Sequence, residues 1–250
     1  MPTRRATGCR CCLWPSTAYP TLGRELRRAA PAVFHIDEEP YNLSTYLALR
    51  QARAIGCRAL FFTWQNLPRR YPPPFRNLER YALQHADWAL VGNQAAEGVL
   101  RWKGYRGPAT LIPQFGVDPE IYRPLPEADH PAVPFVVGYA GRLVAAKGLV
   151  HLLEALAGLC GDWRLEVAGS GPLGPALEAR AQALGVAERL SLRPHVPSLE
   201  MPRFYNRLDA LVLPSLTMSN WREQFGRVLI EAMACGVPVV GSSSGEIPNV

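Results

Sequence analysis

Two carboxylates and two cations in the second half of the sequence have the types and spacing to handle a phosphorylated sugar. Glu223 and Glu231 stand eight positions apart around Phe225-Gly226. Phe225, Val228, Leu229 and Ala232 recur at helical spacing, which predicts a helix from near Gly226, stopped at Gly236 and barred from continuing by Pro238. Glu223 then lies on the loop before the helix and Glu231 about a turn and a half into it. The amides of Phe225, Gly226 and Arg227, at the helix N-terminus, offer an anion cradle beside two hydroxyl acceptors. Upstream, Gly141-Arg142-Leu143 and Lys147-Gly148 share one loop between a strand and a helix start, where Arg142 and Lys147 could clamp a diphosphate with help from the helix dipole. The chain uses 25 Arg and only two Lys, Lys103 and Lys147. Where Arg is the default cation, a Lys can mark a place that wants a compact, flexible point charge.

Each group also has a plainer reading. Glu231 follows Arg227 by four residues, the spacing of an ordinary surface pair, and Glu223 could simply answer the helix dipole. Arg142 and Lys147 could be solvated loop charges. Gly169-Ser170-Gly171-Pro172-Leu173-Gly174 matches a dinucleotide fingerprint, with Glu188 about 20 residues on. However, it follows the second strand of its series, whereas the fingerprint belongs after the first, and Glu188 precedes a strand. Pro172 and Pro175 fit a plain helix start. The coincidence of both glutamates, Phe-Gly and the cationic loop favours a nucleotide-sugar pocket over NAD.

The elements that must position these groups alternate. In the first half a short helix over 22–30 precedes a buried strand at 32–36 and the acidic loop Asp37-Glu38-Glu39-Pro40. Further units follow: helix 43–54, strand 59–62, helix 76–84, strand 88–91, a helix to about Trp102, and strand 110–113. The second series begins at Phe135-Val136-Val137-Gly138-Tyr139. It continues with a helix bearing Leu149, Leu152, Leu153, Leu156 and Leu159 on one face, strand 164–168, helix 175–184, strand 190–192, helix 198–205, strand 210–213, the glutamate helix and strand 239–240. Strands alternating with helices predict parallel sheets. The stretch 116–134, with five prolines and no period, reads as a linker, so the domains are expected at 1–130 and 131–250.

Composition is that of an ordinary globular protein, 48% hydrophobic and 19% charged. No run approaches the roughly 20 apolar residues of a membrane span, and the N-terminus lacks the apolar core of a secretory signal. Cys9, Cys11 and Cys12 have no second pair at zinc-site spacing, so free thiols in a reducing cytoplasm are expected, with no metal. Residues 1–130 hold 17 Lys/Arg against 11 Asp/Glu, while 131–250 hold 10 of each. The basic excess of the first half is either a solvated surface or a face for anionic lipid or an anionic acceptor. Without aromatics stacked among the arginines, nucleic acid is not expected.

The runs Gly141-Arg142-Leu143 with Lys147-Gly148, Glu223-Gln224-Phe225-Gly226 to Glu231-Ala232-Met233-Ala234-Cys235-Gly236-Val237-Pro238, Gly245-Glu246-Ile247-Pro248 and Gly116-Val117-Asp118 resemble the donor half and linker of a family 4 retaining glycosyltransferase (glycosyl transferases group 1). The resemblance covers residues 32–250 and rests mostly on 223–240. It implies an α/β chain with two Rossmann-like parallel-sheet domains of the GT-B type and an interdomain cleft. It also implies transfer of a sugar from a UDP- or GDP-sugar to a hydroxyl of a lipid-linked or polysaccharide acceptor, in the cytoplasm or at a membrane, without a cofactor. Arg142 and Lys147 would hold the diphosphate and stabilise the leaving nucleotide. Glu223 would hold sugar hydroxyls and Glu231 the ribose. Gly141, Phe225 and Gly226 would complete the pocket, and Gly169 and Gly171 would line the cleft through their backbone. A front-side mechanism needs no enzymic nucleophile.

Two departures accompany the resemblance. Glu38 stands before the Glu39-Pro40 pair where many members carry a His, with His35 inside the strand, so Asp37 or Glu38 would assist the acceptor hydroxyl or form a solvated acidic loop. The family's first domain also opens well before the counterpart of Phe34 and its second continues past Val250, so both domains are expected to be incomplete. A sugar-nucleotide epimerase on the same fold and a non-catalytic nucleotide-binding remnant are the competing readings.

Overall fold

A computed structural model describes residues 19–126, 134–194 and 196–250; Cys9, Cys11 and Cys12 lie outside them. The chain divides into two compact units, Met1–Ile112 and Pro113–Val250.

In the first unit, helix α1 (Leu22–Ala29) leads to strand β1 (Val33–Ile36), α2 (Leu43–Ala54), β2 (Arg58–Thr63), α3 (Phe75–His85), β3 (Trp88–Val91), α4 (Gln94–Trp102) and β4 (Ala109–Leu111). The strands pair in parallel in chain order, β1-β2-β3-β4. Leu49, Ala52, Ala59 and Ala82 are buried where α2 and α3 meet the sheet, and Phe61, Ala89, Val91 and Leu100 form a second buried group. Asn93 caps α4, its Oδ1 accepting the Ala96 amide at 2.8 Å, which satisfies one of the donors a helix start leaves open. The expectation that strand 32–36 is buried is corrected. Among the described residues β1 is an edge strand with Val33 and His35 exposed, and only Ile36 is buried. Apolar composition marked a strand but could not tell edge from centre.

The second unit runs β5 (Phe135–Ala140), α5 (Leu149–Ala157), β6 (Trp163–Ala168), α6 (Gly174–Ala183), β7 (Leu190–Arg193), α7 (Met201–Tyr205), β8 (Ala210–Leu213), α8 (Arg227–Ala234) and β9 (Val239–Gly241). Its all-parallel sheet has the order β7-β6-β5-β8-β9. Two strands are laid down to one side of β5, and the chain then crosses to β8 on the other. That reversal leaves a crevice beyond the C-terminal ends of β5 and β8, where ligands of open α/β sheets bind. Leu149, Leu152, Leu153 and Leu156 are buried as their spacing predicts. Leu159 is not: α5 ends at Ala157, Gly158 follows, and Leu159 is 59% exposed. The proline-rich stretch packs on this unit near α7. Asn206 Oδ1 accepts the Leu125 amide at 2.8 Å, and its Nδ2 donates to the Arg123 carbonyl at 3.0 Å.

Two loop glycines fix the shape of the crevice. Gly148 (φ 70°) turns the chain from a one-turn 3-10 helix, Ala145–Lys147, into α5; a Cβ there would lie 2.0 Å from the Pro214 carbonyl oxygen beyond β8. At Gly169 a Cβ would lie 1.8 Å from the Gly141 oxygen. The loops after β5 and β6 therefore pack backbone to backbone. Gly169→Ala is expected to lower stability by about 2 kcal/mol or more, because backbone must move. Gly161→Ala, with φ 102° but no atom within 4 Å of the new Cβ, should cost only the left-handed strain of about 1–2 kcal/mol. Chemical denaturation of both variants checks this, and equal losses would contradict the close packing.

Candidate functional site

The loops beyond β5 and β8 meet through one buried ion pair. Lys147 Nζ donates to Glu223 Oε2 at 2.5 Å, with both side chains largely out of solvent. The Ser215 hydroxyl donates to the same oxygen at 2.9 Å, and the ammonium sits 5.0 Å from the centroid of the Trp221 ring. These partners offset the desolvation of the two charges, which is costly when either stands alone. The glutamate loop is pinned from behind, where the Glu246 amide donates to the Glu223 carbonyl at 3.2 Å. The lysine loop is pinned to the segment after β8 by the Leu216 amide donating to the Ala146 carbonyl at 2.8 Å.

Arg142 lies one residue past Gly141 at the end of β5. The Tyr139 hydroxyl, inside the core, donates to its carbonyl at 3.0 Å. Burial, then the Glu223 charge, holds that phenol above its ordinary pKa, so it stays a neutral donor. The Leu143 amide donates to the Ser170 carbonyl at 2.9 Å, and Leu173 donates back to the Leu143 carbonyl at 3.0 Å.

A cavity of about 280 Å³ opens against this framework, walled by Gly141, Arg142, Lys147, Glu223, Gly226 and Arg227, with Trp221, Arg222 and Gln224 on its rim. Its cations outnumber its single carboxylate, Glu223, and Lys147 spends one of its three N–H donors on that carboxylate, leaving the others directed elsewhere. The surface suits a group carrying two negative charges and several acceptor oxygens. Gly226 (φ 92°) opens α8 at this wall. Phe225 is buried beneath it, its ring 5.4 Å from that of Phe115. A second cavity of about 280 Å³ lies on the far side of Gly141 and Arg142, lined by Gly169, Ser170, Pro194, Val196 and Met201. A larger cavity, about 670 Å³ around Leu125, Arg193 and Arg207, contains none of the residues the sequence marked.

The structure thus brings together Gly141, Arg142, Lys147, Glu223, Gly226 and, in the adjoining cavity, Gly169. Gly171 is placed differently: a Cβ there would lie 2.3 Å from the Leu143 carbonyl oxygen. The bare faces of Gly169 and Gly171 are spent on the neighbouring loop, so the fingerprint-like run packs protein backbone where a dinucleotide site would receive pyrophosphate. Glu231 stands back from the cavity wall. It is 5% exposed; the Tyr205 hydroxyl donates to Oε2 at 2.6 Å and Arg227 Nε to Oε1 at 2.9 Å. Burial and the adjacent Glu231 push the Tyr205 phenol well above its usual range.

Glu38 belongs to the first unit, on the loop after β1, where Asn42 Nδ2 donates to Oε2 at 2.5 Å. Its neighbour Glu39 ties that loop to β2. The Thr63 hydroxyl donates to Oε2 at 2.6 Å and the Trp64 amide to Oε1 at 2.9 Å. Burial raises the Glu39 pKa, and these two bonds act against the shift.

Sequence reasoning missed Ser215, Trp221 and Tyr205. Trp221 stands two residues before Glu223, and the rarity of Lys pointed to a special environment without naming the ring that supplies it. Ser215 and Tyr205 carried no local signal, because their partners lie 8 and 26 residues away.

If the pair is as tightly coupled as its burial implies, Lys147→Met should destabilise the protein by about 3 kcal/mol, since it strands a buried carboxylate. In a Glu223→Gln background the same substitution should cost at least about 1 kcal/mol less. A denaturation double-mutant cycle measures this; additive losses would contradict the coupling.

Comparison with known proteins agrees with this geometry. The family model described as "Glycosyl transferases group 1" matches residues 126–250. A D-inositol 3-phosphate glycosyltransferase of Mycobacterium marinum is 31% identical over 196 residues, covering 70% of this chain and 39% of the relative. A GDP-mannose-dependent alpha-(1-6)-phosphatidylinositol monomannoside mannosyltransferase of Mycolicibacterium smegmatis is 34% identical over 161 residues, covering 57% of this chain and 41% of the relative. The chain therefore spans about two fifths of the length of these relatives. Among solved structures, Anabaena HepE in complex with UDP superposes with a TM-score of 0.73 at 21% identity, covering 90% of this chain and 64% of that one. Sucrose-phosphate synthase from Thermosynechococcus elongatus gives 0.68 at 23% identity, over 89% of this chain and 59% of that one. At these identities the likeness concerns the fold, two Rossmann-like parallel-sheet units of the GT-B type. With half of its length matched by the family model and the paired-glutamate and cationic loops meeting at the switch point of the second sheet, the chain belongs to the glycosyl transferases group 1 family.

Proposed function

We propose that the chain carries the donor site of a retaining glycosyltransferase that moves a sugar from a UDP- or GDP-sugar to a hydroxyl acceptor. The observation that carries this reading is the 280 Å³ cavity where Arg142 and Lys147 face Glu223 beyond β5 and β8. The donor diphosphate lies against Arg142 and Lys147. As the bond to the sugar breaks, negative charge grows on the departing nucleoside diphosphate, and the Lys147 ammonium, already fixed by Glu223 and Trp221, stabilises it without reorganising. Glu223, on the same wall, accepts from sugar hydroxyls, so one carboxylate positions both the cation and the sugar. The Gly226 end of α8 adds its positive dipole end to the same wall. In this reading Glu231 accepts from the ribose, which requires Arg227, its side chain 57% exposed, to swing off Oε1.

The relatives support the substrate class. One is named for GDP-mannose and another for D-inositol 3-phosphate, while HepE was solved with UDP and with UDP-glucose. The acceptor is a hydroxyl compound, lipid-linked or saccharide, with Glu38 on the first unit as the group that assists its deprotonation. In this reading the acceptor oxygen arrives on the face from which the nucleoside diphosphate leaves, so transfer proceeds with retention and no side chain bonds to the sugar.

Saturation-transfer NMR with UDP, GDP and NAD tests the donor site. UDP or GDP should bind, and Arg142→Ala and Lys147→Ala should each weaken that binding by about tenfold or more, the worth of a charge-assisted contact. Binding of NAD with neither diphosphate would overturn the reading.

A further inference from the structure

The first unit carries a second cationic cavity, separate from every group used above. It measures about 410 Å³ and lies between the loop 69–71, one face of α3 and the C-terminal end of α4. Four arginines line it: Arg69 and Arg70 from the loop, Arg76 and Arg80 from successive turns of α3. One carboxylate, Glu79, shares the wall, and Lys103 is already paired with it in the floor. Lys103 Nζ also donates to Gln65 Oε1 at 2.7 Å and lies 4.9 Å from the Tyr71 ring centroid. This buried floor is electrically balanced, so Arg76 and Arg80 answer no charge within the cavity wall. Neither Arg76 nor Arg80 makes an ion pair among the described residues. The Arg70 guanidinium lies 5.4 Å from the centroid of Trp102, a half-exposed ring that gives the cavity one apolar flank.

Like charges gathered around one hollow repel each other, and this arrangement becomes favourable when an anion enters. Guanidinium forks match the paired oxygens of a phosphate better than they match a single-point acceptor. The volume falls within the roughly 300–1,000 Å³ of small-molecule pockets, enough for a phosphate with the body that carries it. We propose that this cavity is a phosphate-ester site, in which Arg76 and Arg80 grip the phosphate and the Trp102 face contacts the esterified body. The basic excess of the first half of the sequence then acts partly as a walled receptor and not only as a diffuse surface.

The test uses the full chain and two probes with the same chemistry. Glycerol 3-phosphate, followed by ³¹P NMR, represents a soluble ester. Vesicles of phosphatidylcholine with or without phosphatidic acid, followed by co-flotation, represent a lipid phosphate. Arg76→Gln with Arg80→Gln should weaken binding by about tenfold or more. Arg27→Gln with Arg53→Gln removes the same charge from exposed positions on α1 and α2 and should leave binding nearly unchanged. Selective loss with glycerol 3-phosphate identifies a soluble ligand, and selective loss with acidic vesicles alone identifies a lipid headgroup; either supports the site. Equal loss in both double variants, no loss in the Arg76/Arg80 variant, or no binding of either probe by the wild-type chain would overturn it. Circular dichroism of the variants confirms that these exposed substitutions leave the fold intact.

Discussion

The Lys147–Glu223 pair joins the two loops on which the second unit's site depends. Lys147 stands after the central strand β5, and Glu223 follows β8, the first strand laid down on the opposite side of the sheet. Neither charge is stable alone at its depth, so each loop is held wherever the other requires it. Ser215 and the Trp221 ring complete the coordination of the pair. The consequence is electrostatic preorganisation: a cation stands fixed at the wall of a cavity before any anion arrives, with a carboxylate beside it.

The backbone beneath the pair is equally constrained. Gly148 admits the Pro214 carbonyl and Gly169 admits the Gly141 carbonyl, while Tyr139 props the Arg142 carbonyl from inside the core. Three successive loops thus pack with main chain against main chain, and this places the Arg142 side chain between two cavities. The first unit repeats the electrostatic device in another setting. Its single lysine, Lys103, pairs with buried Glu79 against the Tyr71 ring, as Lys147 pairs with Glu223 against Trp221. In a chain that otherwise uses arginine, both lysines are compact charges seated on an aromatic face with a carboxylate partner.

Much of this was legible in the sequence, for identifiable reasons. The alternation of short apolar runs with amphipathic segments located every strand and helix to within a few residues, because helical and extended periods differ strongly. Glu223, Gly226 and Lys147 could be assigned to one pocket because they flank element boundaries that punctuation by Gly and Pro makes visible. What could not be read depended on distant partners. Edge position among the described strands exposes β1, though its composition resembles that of a central strand. The early end of α5 frees Leu159 from a face its spacing had assigned it to. The hydroxyl of Tyr205 and the side chain of Arg227 engage both oxygens of Glu231, the second of these at a spacing the sequence displayed without showing how deeply the glutamate lies. The fingerprint-like glycines were correctly placed on a loop, but only coordinates reveal that a neighbouring carbonyl, and not a ligand, occupies the space they leave.

The central claim is that an anionic nucleotide group sits between the loop beyond β5 and the start of α8. Amide chemical-shift mapping of the isotope-labelled chain, titrated with UDP and with GDP, tests it residue by residue. The account predicts that the largest shifts fall on Gly141–Lys147 and Glu223–Arg227, with smaller changes at Gly169 and Ser170. Shifts confined to the loop 169–174, or absent from both Lys147 and Gly226 at saturation, would contradict it.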